Sequence, residues 1–239
     1  MMSTDGFVGL GNRVQRRGSA DLLAEEILNR IVEGEIPPGT PLRESMLARE
    51  SGLARNTVRE AIRILVADGL VQHYPNKGAA VCKLDGEDVM DLYRVRLMAE
   101  LEGIRSVARL TPGQEAAFEQ SLQSFEAAAG GSSASGLVAA DLHFHTLLVD
   151  LAGSPRLDRL YRSILNEVRF GFSLLTAADR EIDNPRPLVD EHRAIYESLV
   201  AGDGEACAAL LTEHLGHYKR RMVDLVRQRA AEPVGASAQ

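Results

Sequence analysis

The sequence contains no tryptophan, 5% aromatic residues in all, and two cysteines among 239 residues. Cys82 and Cys207 are too few and too far apart in the chain for a disulfide framework or a CxxC metal knuckle, which predicts a reducing compartment. No apolar run approaches the roughly 18 residues of a membrane-spanning helix. The first residues also lack the apolar stretch of a secretory signal. There is no internal repeat, and neither an HExxH, a GxSxG nor a phosphate-binding loop occurs. The expectation is a soluble, cytoplasmic protein, not an enzyme. A chain of this length buries roughly 70% of the surface exposed by its unfolded state, so it folds without staples.

Positive charge is scarce too: 27 Lys and Arg stand against 34 Asp and Glu, a net of −7 that discourages a nucleic-acid partner. Division along the chain changes that inference. Residues 1–83 carry 11 basic and 10 acidic residues, whereas residues 84–239 carry 16 and 24. Within the first part, Arg55, Arg59, Arg63, Lys77 and Lys83 face only Glu60 and Asp68 between Gly52 and Lys83. Screening over about 10 Å lets such a patch act almost independently of the acidic remainder.

Residues 1–18 are glycine-rich and aperiodic, with Arg13, Arg16 and Arg17, and predict a flexible arm. From Asp21 the helical spacing of Leu23, Ile27 and Ile31 predicts a helix stopped by Gly34 and Pro37-Pro38-Gly39. A short helix near Arg43 to Glu50, a turn at Ser51-Gly52 and a helix near Asn56 to Asp68 follow. Val71 to Tyr74 and Ala79 to Val81 then read as strands around Pro75-Asn76-Lys77-Gly78. Beyond Asp85 the pattern is helical only. It predicts helices at 87–109, 114–129, 137–152, 155–176, 187–201 and 204–229, with a loop at 130–136 and a tail at 231–239. The fold class is mainly α: a helix-turn-helix unit with a hairpin over residues 19–83, then an antiparallel bundle of about six helices over 87–230.

A tight turn followed by Arg55, Asn56, Thr57 and Arg59 at the start of a helix has the layout that sets side chains against base edges. Guanidinium groups match guanine there, and amides match adenine. Val58, Ile62, Leu65 and Val66 would hold the helix on its core, and Lys77 and Gly78 would form a wing reaching phosphates. The plain alternative is that these charges are the wet face of an amphipathic helix. The run Ile31-Val32-Glu33-Gly34 through Pro37-Pro38-Gly39-Thr40-Pro41-Leu42, the run Leu47-Ala48-Arg49-Glu50-Ser51-Gly52-Leu53-Ala54-Arg55-Asn56-Thr57-Val58-Arg59-Glu60-Ala61-Ile62, and Leu65 to Val71 resemble the winged-helix signature of the GntR family of bacterial transcription regulators. The resemblance covers residues 20–82 almost without a gap. It implies Arg55 and Arg59 as base or phosphate readers, with Asn56 and Thr57 beside them and Lys77-Gly78 in the wing. Ala54 stands where the family usually has a serine, and Ser45 where it often has an arginine.

In the second part, Asp141 and His145 lie four apart and share a helix face. His192 and His214 fall on two other helices among apolar neighbours, so they point inward. Spacing leaves open whether these are hydrogen-bonded core histidines or ligands. The blocks Asp91-Leu92-Tyr93-Arg94-Val95-Arg96, Asp141-Leu142-His143-Phe144-His145, Glu191-His192-Arg193-Ala194-Ile195 and Gly202-Asp203 resemble the metal-binding FCD branch of the FadR subfamily. The resemblance implies a divalent metal on Asp141, His145, His192 and His214; His143 and His217 sit next to these positions but, by their spacing, on other helix faces. Zn²⁺ is the first expectation and Ni²⁺ or Mn²⁺ the alternatives. Three neutral imidazoles and one carboxylate around such an ion leave a net charge of about +1 and open positions suited to a chelating anion. Arg96 lies on the apolar stripe with Leu92, Ala99 and Gly103. Its partner is either Glu100 or Glu102 within the bundle or, as the resemblance implies, the carboxylate of a small organic-acid effector. The expected whole is a homodimeric repressor that binds a palindromic operator in double-stranded DNA under control of that effector. A helical metalloenzyme, and a protein in which metal only braces the fold, are the competing readings.

Overall fold

The computed structural model describes residues 18–74, 78–131, 134–175 and 186–231, so the expected N-terminal arm, Lys77 of the expected wing and the tail beyond Ala231 lie outside the described residues. The chain divides into two compact units, one essentially ending at Cys82 and the other starting at Lys83.

In the first unit, α1 (Ser19–Val32) turns Ala24, Ile27 and Ile31 inward at helical spacing. Helix α2 (Glu44–Ser51) ends on Gly52, whose φ of 69° is left-handed, a conformation that costs other residues roughly 1–2 kcal/mol. The chain then enters α3 (Arg55–Ala67), which buries Val58, Ala61, Ile62 and Leu65 and leaves its other face wet. Strands β1 (Val71–Tyr74) and β2 (Gly78–Val81) pair antiparallel, with Val71 opposite Val81 and Tyr74 opposite Gly78. One rung escaped the sequence reading. Pro41 bridges Ala80, with the Leu42 N–H donating to the Ala79 carbonyl at 2.8 Å. Proline has no N–H to spend on a ladder, so Pro37 to Pro41 reads as a breaker, yet an outer strand tolerates it.

The second unit has six helices among the described residues: α4 (Gly86–Arg105), α5 (Pro112–Ala129), α6 (Ala134–Asp150), α7 (Pro155–Leu175), α8 (Arg186–Ala201) and α9 (Gly204–Ala231). Helices α4 and α5 begin with capping boxes, Asp85 with Asp88 and Thr111 with Gln114, which satisfy otherwise orphaned amide donors. Several boundaries differ from expectation, and three of them have a local cause. Helix α4 stops at Arg105 rather than Arg109, because the Ser106 hydroxyl takes the Glu102 carbonyl at 2.7 Å and the chain turns to bury Leu110. Helix α6 starts at Ala134, inside the expected 130–136 loop, since alanine and serine there accept helix once past the two glycines. It ends at Asp150, where Ala152 and Gly153 fold back onto the Val149 and Asp150 carbonyls.

Phe118, Phe144, Leu148, Ile195 and Leu211 anchor the main core of this unit. Consecutive helices alternate in direction, but α4 and α6 lie side by side and parallel. Arg96 faces Asp141, Glu100 faces His145 and Gly103 faces Leu148 at one constant sequence offset. At Gly103 the two backbones nearly touch: a Cβ there would lie 1.8 Å from the Leu148 carbonyl oxygen. No helix of the described residues is long and apolar enough to cross a membrane.

Candidate functional site

The first candidate surface is the wet face of α3. Arg55, Asn56 and Arg59 are exposed there, Thr57 is half-buried, and Gly78 is exposed at the start of β2 with φ of 79°. Ala54 occupies the N-cap with extended backbone but no side-chain cap bond, as expected from the missing hydroxyl. Arg59 is not free: its Nε donates to Glu44 Oε1 at 2.9 Å and its Nη2 to Glu44 Oε2 at 2.8 Å. Lys77 is outside the described residues.

The second candidate site lies inside the bundle. Asp141 and His145 on α6, His192 on α8 and His214 on α9 are all buried, and one ligand atom from each falls within 4.8 Å of the others. His145 Nε2 is 3.2 Å from His214 Nε2 and 3.3 Å from His192 Nε2. Asp141 Oδ1 is 3.2 Å from His192 Nε2 and 3.8 Å from His145 Nε2. His145 Nδ1 lies 2.6 Å from Glu100 Oε2, His192 Nδ1 2.7 Å from the Leu188 carbonyl oxygen and His214 Nδ1 2.7 Å from Glu191 Oε2. Each ring therefore donates through Nδ1–H, and a neutral imidazole is left with a lone pair on Nε2. Burial pushes His145 well below the ordinary histidine range, with Arg96 adding to the effect, and burial also lowers His214 against the pull of Glu191. Burial alone would raise the Asp141 carboxyl, but His145 and His192 in their protonated forms and the permanently charged Arg96 hold it low.

Three imidazole lone pairs and a carboxylate oxygen thus face one point. Bonds of about 2.0–2.1 Å to a divalent ion place neighbouring ligand atoms roughly 3.0–3.4 Å apart, close to most of the spacings found. The donor set fits a metal, and the orienting acceptors behind each ring are those that metal-binding histidines use. Phe125 and Phe144 set their rings edge-on against His192, at 4.6 and 4.8 Å between centroids, which limits its rotation.

Beside this point is a second unfinished arrangement. Arg96, 1% exposed, donates from Nε to Glu100 Oε1 at 2.8 Å, so the expected partner inside the bundle is Glu100. Among the described residues its Nη2 has no hydrogen-bond partner, and it lies 3.9 Å from Asp141 Oδ2, which has none either. The Tyr93 hydroxyl, on the ring 5.6 Å from the Arg96 guanidinium carbon, is also buried without a partner among the described residues. Buried polar groups are rarely left unpaired unless a ligand or water completes them.

Sequence reasoning named Glu100 only as a possible partner of Arg96 and missed its place behind His145, together with Glu191 and Tyr161. Glu100, fully buried, accepts from Arg96, from the Tyr161 hydroxyl at 2.5 Å and from His145. Glu191 orients His214 at the edge of a cleft of about 530 Å³ between α8 and α9. A signal existed for Glu100, four residues after Arg96 on one helix face, and for Glu191, adjacent to His192. Tyr161 offered none. His143 and His217 are exposed, off the site, as their spacing implied.

Comparison with known proteins assigns a family to each of the two units. Residues 20–81 match the family model for bacterial regulatory proteins of the gntR family, and residues 91–217 match the FCD domain. The chain is 30% identical over 211 residues to the "Probable D-xylose utilization operon transcriptional repressor" of Paenarthrobacter nicotinovorans, covering 86% of this chain and 89% of that protein. It is 29% identical to the HTH-type transcriptional repressor RspR of Escherichia coli K12, over 79% and 82% of the two chains. Among solved structures, a GntR protein from Rhodococcus sp. RHA1 superposes with a TM-score of 0.73 at 30% identity, covering 86% of this chain and 97% of that one. E. coli McbR/YncC, at 19% identity and a TM-score of 0.70 over 88% and 98%, supports the fold alone. The relatives are transcription regulators rather than enzymes, and the chain belongs with them: it is a DNA-binding transcription regulator of the GntR family whose larger unit is an FCD domain.

Proposed function

We propose that this regulator is a homodimeric, cytoplasmic repressor whose operator affinity is set by a small organic acid bound at a divalent metal in the FCD unit. The observation that carries the reading is the set of three Nε2 lone pairs and Asp141 Oδ1 converging beside the unpartnered Arg96 Nη2. When bound, a divalent ion, Zn²⁺ first and Ni²⁺ or Mn²⁺ otherwise, supplies a centre of net charge about +1 with positions open to a chelating anion. Asp141, His145, His192 and His214 hold it. Glu100, Glu191 and the Leu188 carbonyl keep the imidazoles in the donating tautomer. Arg96 Nη2 and the Tyr93 hydroxyl give the effector carboxylate two donors in a dry environment, where charge-assisted hydrogen bonds are strongest.

In the DNA-binding unit, Arg55, Asn56, Thr57 and Arg59 read base edges or phosphates in the major groove, and Lys77 and Gly78 contact the backbone from the wing. Two such units on a two-fold axis read a palindrome. The effector acts through its differential affinity for DNA-competent and DNA-incompetent arrangements, which bounds the size of the response.

One experiment addresses partner, sensing and sign together. Duplexes are selected from a random library with purified protein, and affinity for the enriched site is then measured with metal-loaded and chelator-stripped protein across a panel of small carboxylic acids. The reading expects a palindromic site and at least one acid that changes its affinity only in loaded protein. Absence of an enriched site removes the DNA assignment of these residues. A metal requirement with no acid response favours the bracing role instead, and the orphaned Arg96 Nη2 is what argues against that.

A further inference from the structure

Glu44 poses a question that stability does not answer. It is an acid on the surface proposed to meet phosphates, lining a concavity of about 440 Å³ between α2, α3 and the hairpin together with Arg43, Arg59, Arg63 and His73. An ion pair as open as this one, with side-chain exposures of 48% for Arg59 and 38% for Glu44, contributes little to folding. Against a polyanion the carboxylate is a direct electrostatic cost.

Its geometry is specific. Both carboxylate oxygens engage one edge of the Arg59 guanidinium, the edge formed by Nε and Nη2. A guanidinium carries five N–H donors in a fixed plane. With that edge occupied, the outer edge, formed by Nη1 and the second Nη2 hydrogen, is left as a parallel pair of donors. A parallel pair at this spacing matches O6 and N7 of guanine in the major groove. Arg55, one turn earlier on the same exposed face, lies close enough for its charge to act on Glu44, but the two-oxygen contact is with Arg59.

We propose that Glu44 is a positioning residue for sequence recognition: it fixes Arg59 so that its outer edge reads a guanine, and it discourages Arg59 from settling on phosphate. The proposal rests on the reading that α3 faces base edges, and adds which side chain discriminates and against what. It assigns a G·C pair in each half-site to Arg59, and it makes Glu44 a device that lowers affinity for arbitrary DNA while sharpening preference among sequences.

The test uses the full-length protein and a random-sequence duplex library, with wild type, Glu44→Ala, Glu44→Gln and Arg59→Ala selected in parallel. Circular dichroism and thermal melting verify that each variant is folded. Wild type is expected to enrich a site with an invariant G·C pair that becomes degenerate in Glu44→Ala and Arg59→Ala while the other positions persist. Discrimination at that pair should fall roughly ten- to hundredfold in Glu44→Ala. Its affinity for mixed-sequence DNA should rise, with the salt dependence steepening by about one ion, whereas Arg59→Ala should flatten it by about one. Glu44→Gln, which keeps the shape but weakens the pair, should fall between. Glu44 variants that select the wild-type site with undiminished preference overturn the proposal, as does an Arg59→Ala variant that still requires the G·C pair. If wild type enriches nothing, the placement of α3 on base edges fails first and this inference falls with it.

Discussion

Glu100 Oε2 stands 2.6 Å from His145 Nδ1, while the other oxygen of the same carboxylate receives both Arg96 and Tyr161. One buried acid therefore ties a proposed metal ligand to the proposed effector arginine. Burial pushes the Glu100 carboxyl above its ordinary range, opposed by Arg96 and the Tyr161 hydroxyl. Removing it should be felt on both sides. Glu100→Ala leaves the Arg96 guanidinium buried without its partner, with an expected loss of about 3–5 kcal/mol in urea unfolding. Glu100→Gln keeps the volume but no longer fixes the imidazole tautomer. Zn²⁺ affinity, measured against a chromophoric chelator, should drop roughly ten- to hundredfold. Unchanged affinity in a folded Glu100→Gln protein would mean that His145 is oriented by something else.

Gly103 is required by space rather than by backbone angle. An added methyl meets the Leu148 carbonyl at 1.8 Å, backbone against backbone, with no flexible side chain to yield. Gly103→Ala should cost roughly 3 kcal/mol or more, at or beyond the upper end of overpacking effects. Gly113, in the first turn of α5, has nothing within 4 Å of its would-be Cβ. Gly113→Ala should therefore stabilise, by about 0.4–1 kcal/mol, and serves as the internal control. Similar melting temperatures for the two variants would contradict the close approach of α4 and α6.

At the entrance to α3 the missing cap can be restored. Ala54 already has the extended backbone of an N-cap, so Ala54→Ser should stabilise the first unit by about 1 kcal/mol through a bond to a first-turn N–H. Chemical denaturation read from this unit is the measurement, and a neutral or negative change would place another group on those donors.

Glu167 on α7 gives the regulator a pH dependence of defined sign. Burial first, and the like charge of Asp88 second, push its carboxyl up to about 7. Between about pH 4.5 and 7 the folded state retains a proton that the unfolded state has released, so this group's contribution to stability falls as pH rises through that window. The side chain is partly solvated, and after allowing for screening the penalty at pH 8 is roughly 1–2 kcal/mol. Glu167→Gln should recover that amount at pH 8 and only a few tenths at pH 5. Equal effects at both pH values would remove the charge from the explanation.

The pattern of what the sequence disclosed follows the physics of each feature. Helix α3 was legible because Val58, Ile62 and Leu65 recur on one face and Gly52 marks the turn before it, both local facts. Strands β1 and β2 flank the segment Pro75-Asn76-Lys77, which lies outside the described residues, and their bounds agree with expectation to within one residue. Asp141 and His145 share a face by helical periodicity, but their meeting with His192 and His214 is a tertiary event, and only the family resemblance suggested it. Glu100 and Tyr161 were invisible as a pair because their contact depends on how α4 and α7 pack. The Pro41 rung was hidden for a different reason: the same residue that stops a helix can sit at a sheet edge.

The pinned crossing of α4 and α6 also sets the mechanical advantage of the bundle. Gly103 and Leu148 form the fulcrum, Glu100 and His145 sit three residues from it, and Arg96 and Asp141 sit seven, along two parallel rods. At a rise of 1.5 Å per residue these are lever arms of about 4.5 and 10.5 Å. A tilt of about 5° between the rods then separates the near pair by roughly 0.4 Å and the far pair by roughly 0.9 Å. A molecule wedged between Arg96 and Asp141 would move the helices with more than twice the leverage available at Glu100 and His145, so the arginine end can give way while the imidazole end stays nearly shut.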